Sequence, residues 1–78
     1  MSEYFKTAES NLIKIWDNRL DYEDLEYGDF APTEDIIGKA YYFLLDNLTE
    51  TNQPIRLFVA PDGNILIYYN GDCIKRIR

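Results

Sequence analysis

Histidine is absent from this chain, and cysteine occurs once, as Cys73. Without an imidazole there is no Ser-His-Asp or Cys-His pair to activate a nucleophile. A lone thiol cannot assemble the four nitrogen or sulfur ligands of a structural zinc site. Nor can it form an internal disulfide, so a reducing compartment, the cytoplasm, is expected, with Cys73 acting as a small apolar strand residue. Long apolar runs are missing too. None approaches the roughly 20 residues that a membrane-spanning helix needs, and Met1-Ser2-Glu3-Tyr4-Phe5-Lys6 has neither the basic leader nor the apolar stretch of a signal peptide. The four glycines, Gly28, Gly38, Gly63 and Gly71, stand singly, which excludes a glycine-rich phosphate loop. No stretch places acids and glycine at the positions of a calcium-binding loop. Paired carboxylates remain as potential acid–base groups, but acids on a loop of so short a chain have little scope for an enclosed cleft. The expectation is therefore no enzyme, no catalytic residue, no metal site and no cofactor.

Positive charge is also scarce. The formal charge of −6 disfavours direct contact with nucleic acid, whose phosphates are met by clustered Lys and Arg. Its distribution is uneven. Between Asp17 and Asp35 stand eight carboxylates against Arg19 alone, a net −7 that leaves +1 for the rest of the chain. Lys75-Arg76-Ile77-Arg78 holds three of the cations, giving an acidic middle and a basic end.

What is abundant is aromatic. Seven Tyr, four Phe and Trp16, within 46% apolar residues, suffice for one hydrophobic core in a single domain spanning residues 1–78. Tyr4, Phe5, Ala8, Leu12, Ile15 and Trp16 recur at helical spacing and predict a first helix from about Ser2 to Arg19. The periodicity fails near Asp21, where acids and aromatics mix in an ordered loop. Thr33 ahead of Glu34 and Asp35 marks the start of a second helix, capped by its hydroxyl and favoured by acids in the first turn. Its buried stripe reads Ile37, Ala40, Tyr41, Leu44 and Leu48, widened by Ile36 and Phe43. Gly38 inside it predicts close packing against a neighbouring element. From Ile55 the period becomes two, with Pro61-Asp62-Gly63-Asn64 and Asn70-Gly71-Asp72 as turns between three strands, the last from Cys73 to Arg78. The fold class is α+β, two helices packed on a three-stranded antiparallel meander in the order ααβββ. Trp16, Tyr41, Phe43 and Phe58 fall on apolar stripes and are expected in the core. Phe58, Leu66 and Tyr68 also share the sheet face turned away from the helices.

From Leu25 onwards the chain resembles a group of small uncharacterised bacterial proteins. The resemblance lies in Tyr27-Gly28 ahead of Ala31-Pro32-Thr33, the helical pattern Ile36, Ala40, Phe43-Leu44, and Pro61-Asp62-Gly63 with Ile65, Tyr69 and Gly71 following. In that group a Trp commonly stands where Tyr69 does here, and the sheet often continues further. The resemblance implies the α+β fold and a bacterial or phage origin, and it imports no activity.

The sharpest functional pattern is the acidic and aromatic segment. Asp21, Tyr22, Glu23, Asp24, Glu26, Tyr27 and Asp29 are the candidate partner-binding residues, with Leu25 and Phe30 as further apolar anchors. Aromatic anchors supply most interface energy, while complementary charge speeds encounter and selects orientation. The segment thus suits the basic surface of another protein, including one that binds nucleic acid, whose groove an acid cluster can occupy. A non-catalytic inhibitor or accessory factor is the expectation: an antitoxin or immunity protein, or a phage-encoded inhibitor of a nuclease or CRISPR complex. The alternative is a structural or assembly role, including a homodimer, through the outer sheet face or the edge strand.

Overall fold

Helix α1 (Glu3–Asp17) starts where the Ser2 hydroxyl accepts the Phe5 N–H at 3.1 Å. It turns Phe5, Ala8, Leu12 and Ile15 inward. It stops two residues short of Arg19, and the chain passes through Asn18 into one turn of 3-10 helix at Arg19–Tyr22. Helix α2 (Glu34–Asn47) starts at the residue after Thr33, whose Oγ1 accepts the Ile36 N–H at 3.2 Å. The three strands are β1 (Ile55–Val59), β2 (Ile65–Tyr69) and β3 (Asp72–Ile77), adjacent in that order and antiparallel. This computed structural model describes residues 1–78, and its α+β architecture is the one the periodicities predict.

The helices run antiparallel: Glu9 meets Tyr41 at one end of their contact, while Trp16 and Glu34 share the other. The Tyr41 hydroxyl donates to Glu9 Oε2 at 3.1 Å, a hydrogen bond that raises the Tyr41 hydroxyl above its ordinary pKa. Both helices lie on one face of the sheet, where Phe5, Ala8 and Leu12 of α1 and Ile36, Ala40 and Leu44 of α2 meet Ile55, Ile65, Ile67 and Ile77 in one core of eleven residues.

Three expectations are corrected. The inward stripe of α2 is centred on Ile36, Ala40 and Leu44, with Ile37 and Tyr41 only half-buried, because the sheet takes the face one position round from the stripe of largest side chains. Trp16, Tyr41 and Phe43 are half-buried and Phe58 is exposed; Tyr41 and Phe43 pack against the buried cluster, whereas Trp16 and Phe58 lie outside it. The Trp16 ring instead carries the Arg19 guanidinium at 4.1 Å, and Phe58 stacks on Tyr68, edge to face at 5.1 Å between centroids. Phe5 is the one ring in the core. Cys73 is exposed on β3 rather than packed. Beside it the register skips Ile74, a bulge that lies between the pairs of Ile67 and Tyr68.

The β1–β2 turn is a tight device. The Gly63 N–H donates to Ala60 O and the Ala60 N–H to Asn64 O, both at 2.9 Å, and Gly63 takes φ +85°. This is the three-residue hairpin connection, a turn followed by a left-handed residue. Asp62 fastens it to the edge strand: its Oδ1 accepts the Asn64 N–H at 3.0 Å and its Oδ2 pairs with Arg76 at 2.7 Å. The Asn64 N–H first, and Arg76 second, hold the Asp62 carboxyl below its ordinary pKa. A carboxylate lowered by folding adds stability above the unfolded value, near 3.9, and that stability is lost as pH falls through the folded value. Asp62→Ala is accordingly expected to lower the thermal midpoint at pH 7 and to make progressively less difference below about pH 4. Melting curves of the two proteins across pH check this, and a gap that stays constant down to pH 2 contradicts it.

Candidate functional site

The acidic segment is an ordered loop with a defined root. Asp24 and Asp29 form an isolated antiparallel bridge, exchanging N–H···O bonds of 2.9 and 2.8 Å. Between them Leu25-Glu26-Tyr27-Gly28 reverses the chain. The Tyr27 N–H donates to Asp24 O at 3.1 Å, the Gly28 N–H to Leu25 O at 3.3 Å, and Gly28 sits at φ +78°. The loop is tied down behind Asp29. The Phe30 N–H donates to Pro61 O at 2.7 Å, fixing the segment to the β1–β2 turn.

That attachment depends on Gly63. A Cβ there would stand 3.0 Å from the carbonyl oxygen of Ala31 and 3.3 Å from that of Phe30. The sheet turn and the exit of the loop thus pack backbone against backbone.

The candidate residues divide by position. Asp21 and Tyr22 end the 3-10 turn, Glu23 follows it, Asp24 and Asp29 form the bridge, and Glu26 and Tyr27 occupy the tip. All are exposed except Asp29, which is half-buried. Tyr27 is 78% and Leu25 66% exposed. Tyr22 is less free, since it borders a shallow depression with Lys14, Ile15, Leu57 and Val59 on the β1 side of α1. No carboxylate from Asp21 to Asp29 enters a salt bridge, so the negative potential around the tip is unneutralised. Asp35, by contrast, pairs with Lys39 at 2.9 Å.

The structure adds Leu20 to the exposed apolar residues of the segment. Its isolation between Arg19 and Asp21, just past the last periodic position of α1, is the one sequence signal for it. Chemically the arrangement offers anchors and negative field. It places no three potential ligands together for a metal and supplies no enclosed acid–base pair. Tyr27→Ala should change stability by less than about 0.5 kcal/mol, as for exposed positions generally, and urea unfolding measures this.

No helix is long and apolar enough to cross a membrane. Compared with protein-family models, with curated proteins and with solved structures, the chain matches none, so the reading of this surface rests on its own chemistry.

Proposed function

We propose that the protein is a non-catalytic binding module whose acidic loop docks on a basic surface of another protein, as an inhibitor or accessory factor. The observation that carries this reading is the combination of Leu25 and Tyr27 held outward in a loop closed by the Asp24–Asp29 bridge with surrounding carboxylates that have no cationic partner. Apolar side chains gathered at one exposed tip and rimmed by polar groups are the pattern of an interaction surface. Ordering the loop before encounter reduces the entropy lost on docking. Antitoxin and immunity proteins, and phage inhibitors of nucleases or CRISPR complexes, are partnerships of this chemistry, since their targets display basic grooves.

Capture from lysate at low and at moderate salt, with the parent and with Glu23→Lys/Asp24→Lys/Glu26→Lys, tests the proposal. Specific partner recovery should fall at least about tenfold on charge reversal and weaken with salt, because fields between exposed groups are screened within about 8–10 Å. Recovery indifferent to both changes would sink it.

An assembly role remains the second reading, favoured by the exposed Phe58 stacked edge to face on the half-buried Tyr68 of the outer sheet face and by an edge strand exposed from Asp72 to Arg76. Light scattering separates the two. A salt-insensitive dimer weakened by Tyr68→Glu would support assembly.

A further inference from the structure

On the side of the helix pair that no strand lines, α1 and α2 part to leave an apolar groove of about 380 Å³. Its floor and walls are Leu12, Ile13 and Trp16 from α1 and Ile37, Gly38 and Tyr41 from α2. Ile13 points into it at 56% exposure, although it lies outside the stripe that faces the sheet. The two charged residues that line the groove, Glu9 and Glu34, are both carboxylates. They stand at diagonal corners, since Glu9 lies on α1 at the Tyr41 end and Glu34 lies on α2 at the Trp16 end.

Gly38 makes this groove more than a gap between helices. It is the fifth of the fourteen residues of α2, inside the helix, where glycine is unfavourable. It takes no positive φ, and a Cβ there would meet nothing within 4 Å. Close packing, the usual reason for a helical glycine, is therefore absent. Gly38 lines the groove and leaves the space beside it unfilled.

We infer that the groove receives an amphipathic helix of the partner protein, with apolar side chains at i, i+3 or i+4, and i+7, and a Lys or Arg toward each end to meet Glu34 and Glu9. From Glu9 to Trp16 the wall of α1 rises about 10 Å, two helical turns, which is the reach of anchors seven residues apart. Two acids at opposite corners select basic residues at both ends of such a helix. The inference rests on the acidic-module reading for the class of partner, a protein with basic residues, while using a different surface.

Trp16 is the only tryptophan, so the groove has its own reporter. The probe is a synthetic peptide of about 18 residues, free of Trp, with Leu at the anchor positions and Lys flanking them. A second peptide has the same composition with the leucines scattered. The anchored peptide should shift Trp16 emission saturably, and the scattered one should bind at least tenfold more weakly. Gly38→Leu, whose Cβ would meet nothing within 4 Å, should occlude the groove and weaken binding at least tenfold while raising the thermal midpoint, because Leu favours the helix over Gly, which separates occlusion from unfolding. The loop variant Glu23→Lys/Asp24→Lys/Glu26→Lys should keep peptide binding within about threefold. The inference is overturned if no saturable change appears to millimolar peptide, if Gly38→Leu binds as the parent does, or if the loop variant abolishes binding, which would mark it as general charge attraction. A Trp16 signal that depends on protein concentration alone, with a dimer in sedimentation that Gly38→Leu removes, assigns the groove to a second copy and likewise overturns it. None of these failures alters the lysate result for the acidic loop, which stands or falls separately.

Discussion

Phe5→Ala is expected to leave the protein largely unfolded at room temperature. Phe5 is completely buried and is the only ring among the eleven residues of the core, where it adjoins the other inward residues of α1 against α2 and the sheet. Truncating a buried Phe to Ala costs about 3–5 kcal/mol, from lost transfer energy and from the cavity left behind. A core of this size typically supplies only about 3–5 kcal/mol net, so the loss is comparable to the whole. Urea unfolding followed by far-UV circular dichroism should show a cooperative transition for the parent and little or no native baseline for the variant. A loss below about 1 kcal/mol would mean that the site collapses around the deletion and that the core is more plastic than its close packing implies. The same truncation at Phe58, which is 48% exposed, should cost far less.

The second large effect belongs to Gly63. Its φ of +85° is strained for any residue with a Cβ, and that Cβ would press on the carbonyl oxygens of Ala31 and Phe30. Backbone strain of this kind costs about 1–3 kcal/mol, and the backbone contact places Gly63→Ala toward the upper end, since neither carbonyl is the mobile end of a side chain. The expected result has two parts. Stability falls by roughly 2–3 kcal/mol, and amide exchange in the Asp24–Asp29 loop quickens, because relief of the clash pulls Phe30 N–H away from Pro61 O. Gly28→Ala is the comparison: it meets a similar φ, +78°, with nothing within 4 Å, so it should show the strain without displacement of the loop from the sheet turn. If the loop amides in Gly63→Ala exchange at the parental rate while stability drops, the turn and the loop are not mechanically coupled.

These two positions also show where reading along the chain succeeds and where it stops. The cap at Thr33, the change of period at Ile55, and the turns at Pro61-Asp62-Gly63-Asn64 and Asn70-Gly71 were legible because each depends on a few neighbouring residues: a hydroxyl three positions before an N–H, side chains alternating across a pleat, left-handed φ at Asn70 and Gly71. The ααβββ order follows from those local choices. The identity of the ring that is buried does not. Phe5 and Trp16 lie on the apolar stripe of α1 and Tyr41 on that of α2, and a rotation of each helix by a single position about its axis decides which of them meets the sheet. That rotation is set by the joint packing of α1, α2 and three strands, a long-range matter that periodicity leaves open.

The acidic loop divides in the same way. Its charge, its aromatics and its lack of helical period belong to the sequence, which determined that this stretch is negative and punctuated by rings. Whether the rings point inward or outward was decided by the Asp24–Asp29 bridge and the anchor to Pro61, contacts that hold Leu25 and Tyr27 on the solvent side. The groove beside Gly38 was a tertiary decision altogether. An off-stripe Ile13 and a glycine within a helix were visible in the chain, but they acquire meaning only when two antiparallel helices set them opposite each other. Local preferences are settled by nearest neighbours, whereas a surface is made by residues distant in sequence, and only the folded chain brings those together.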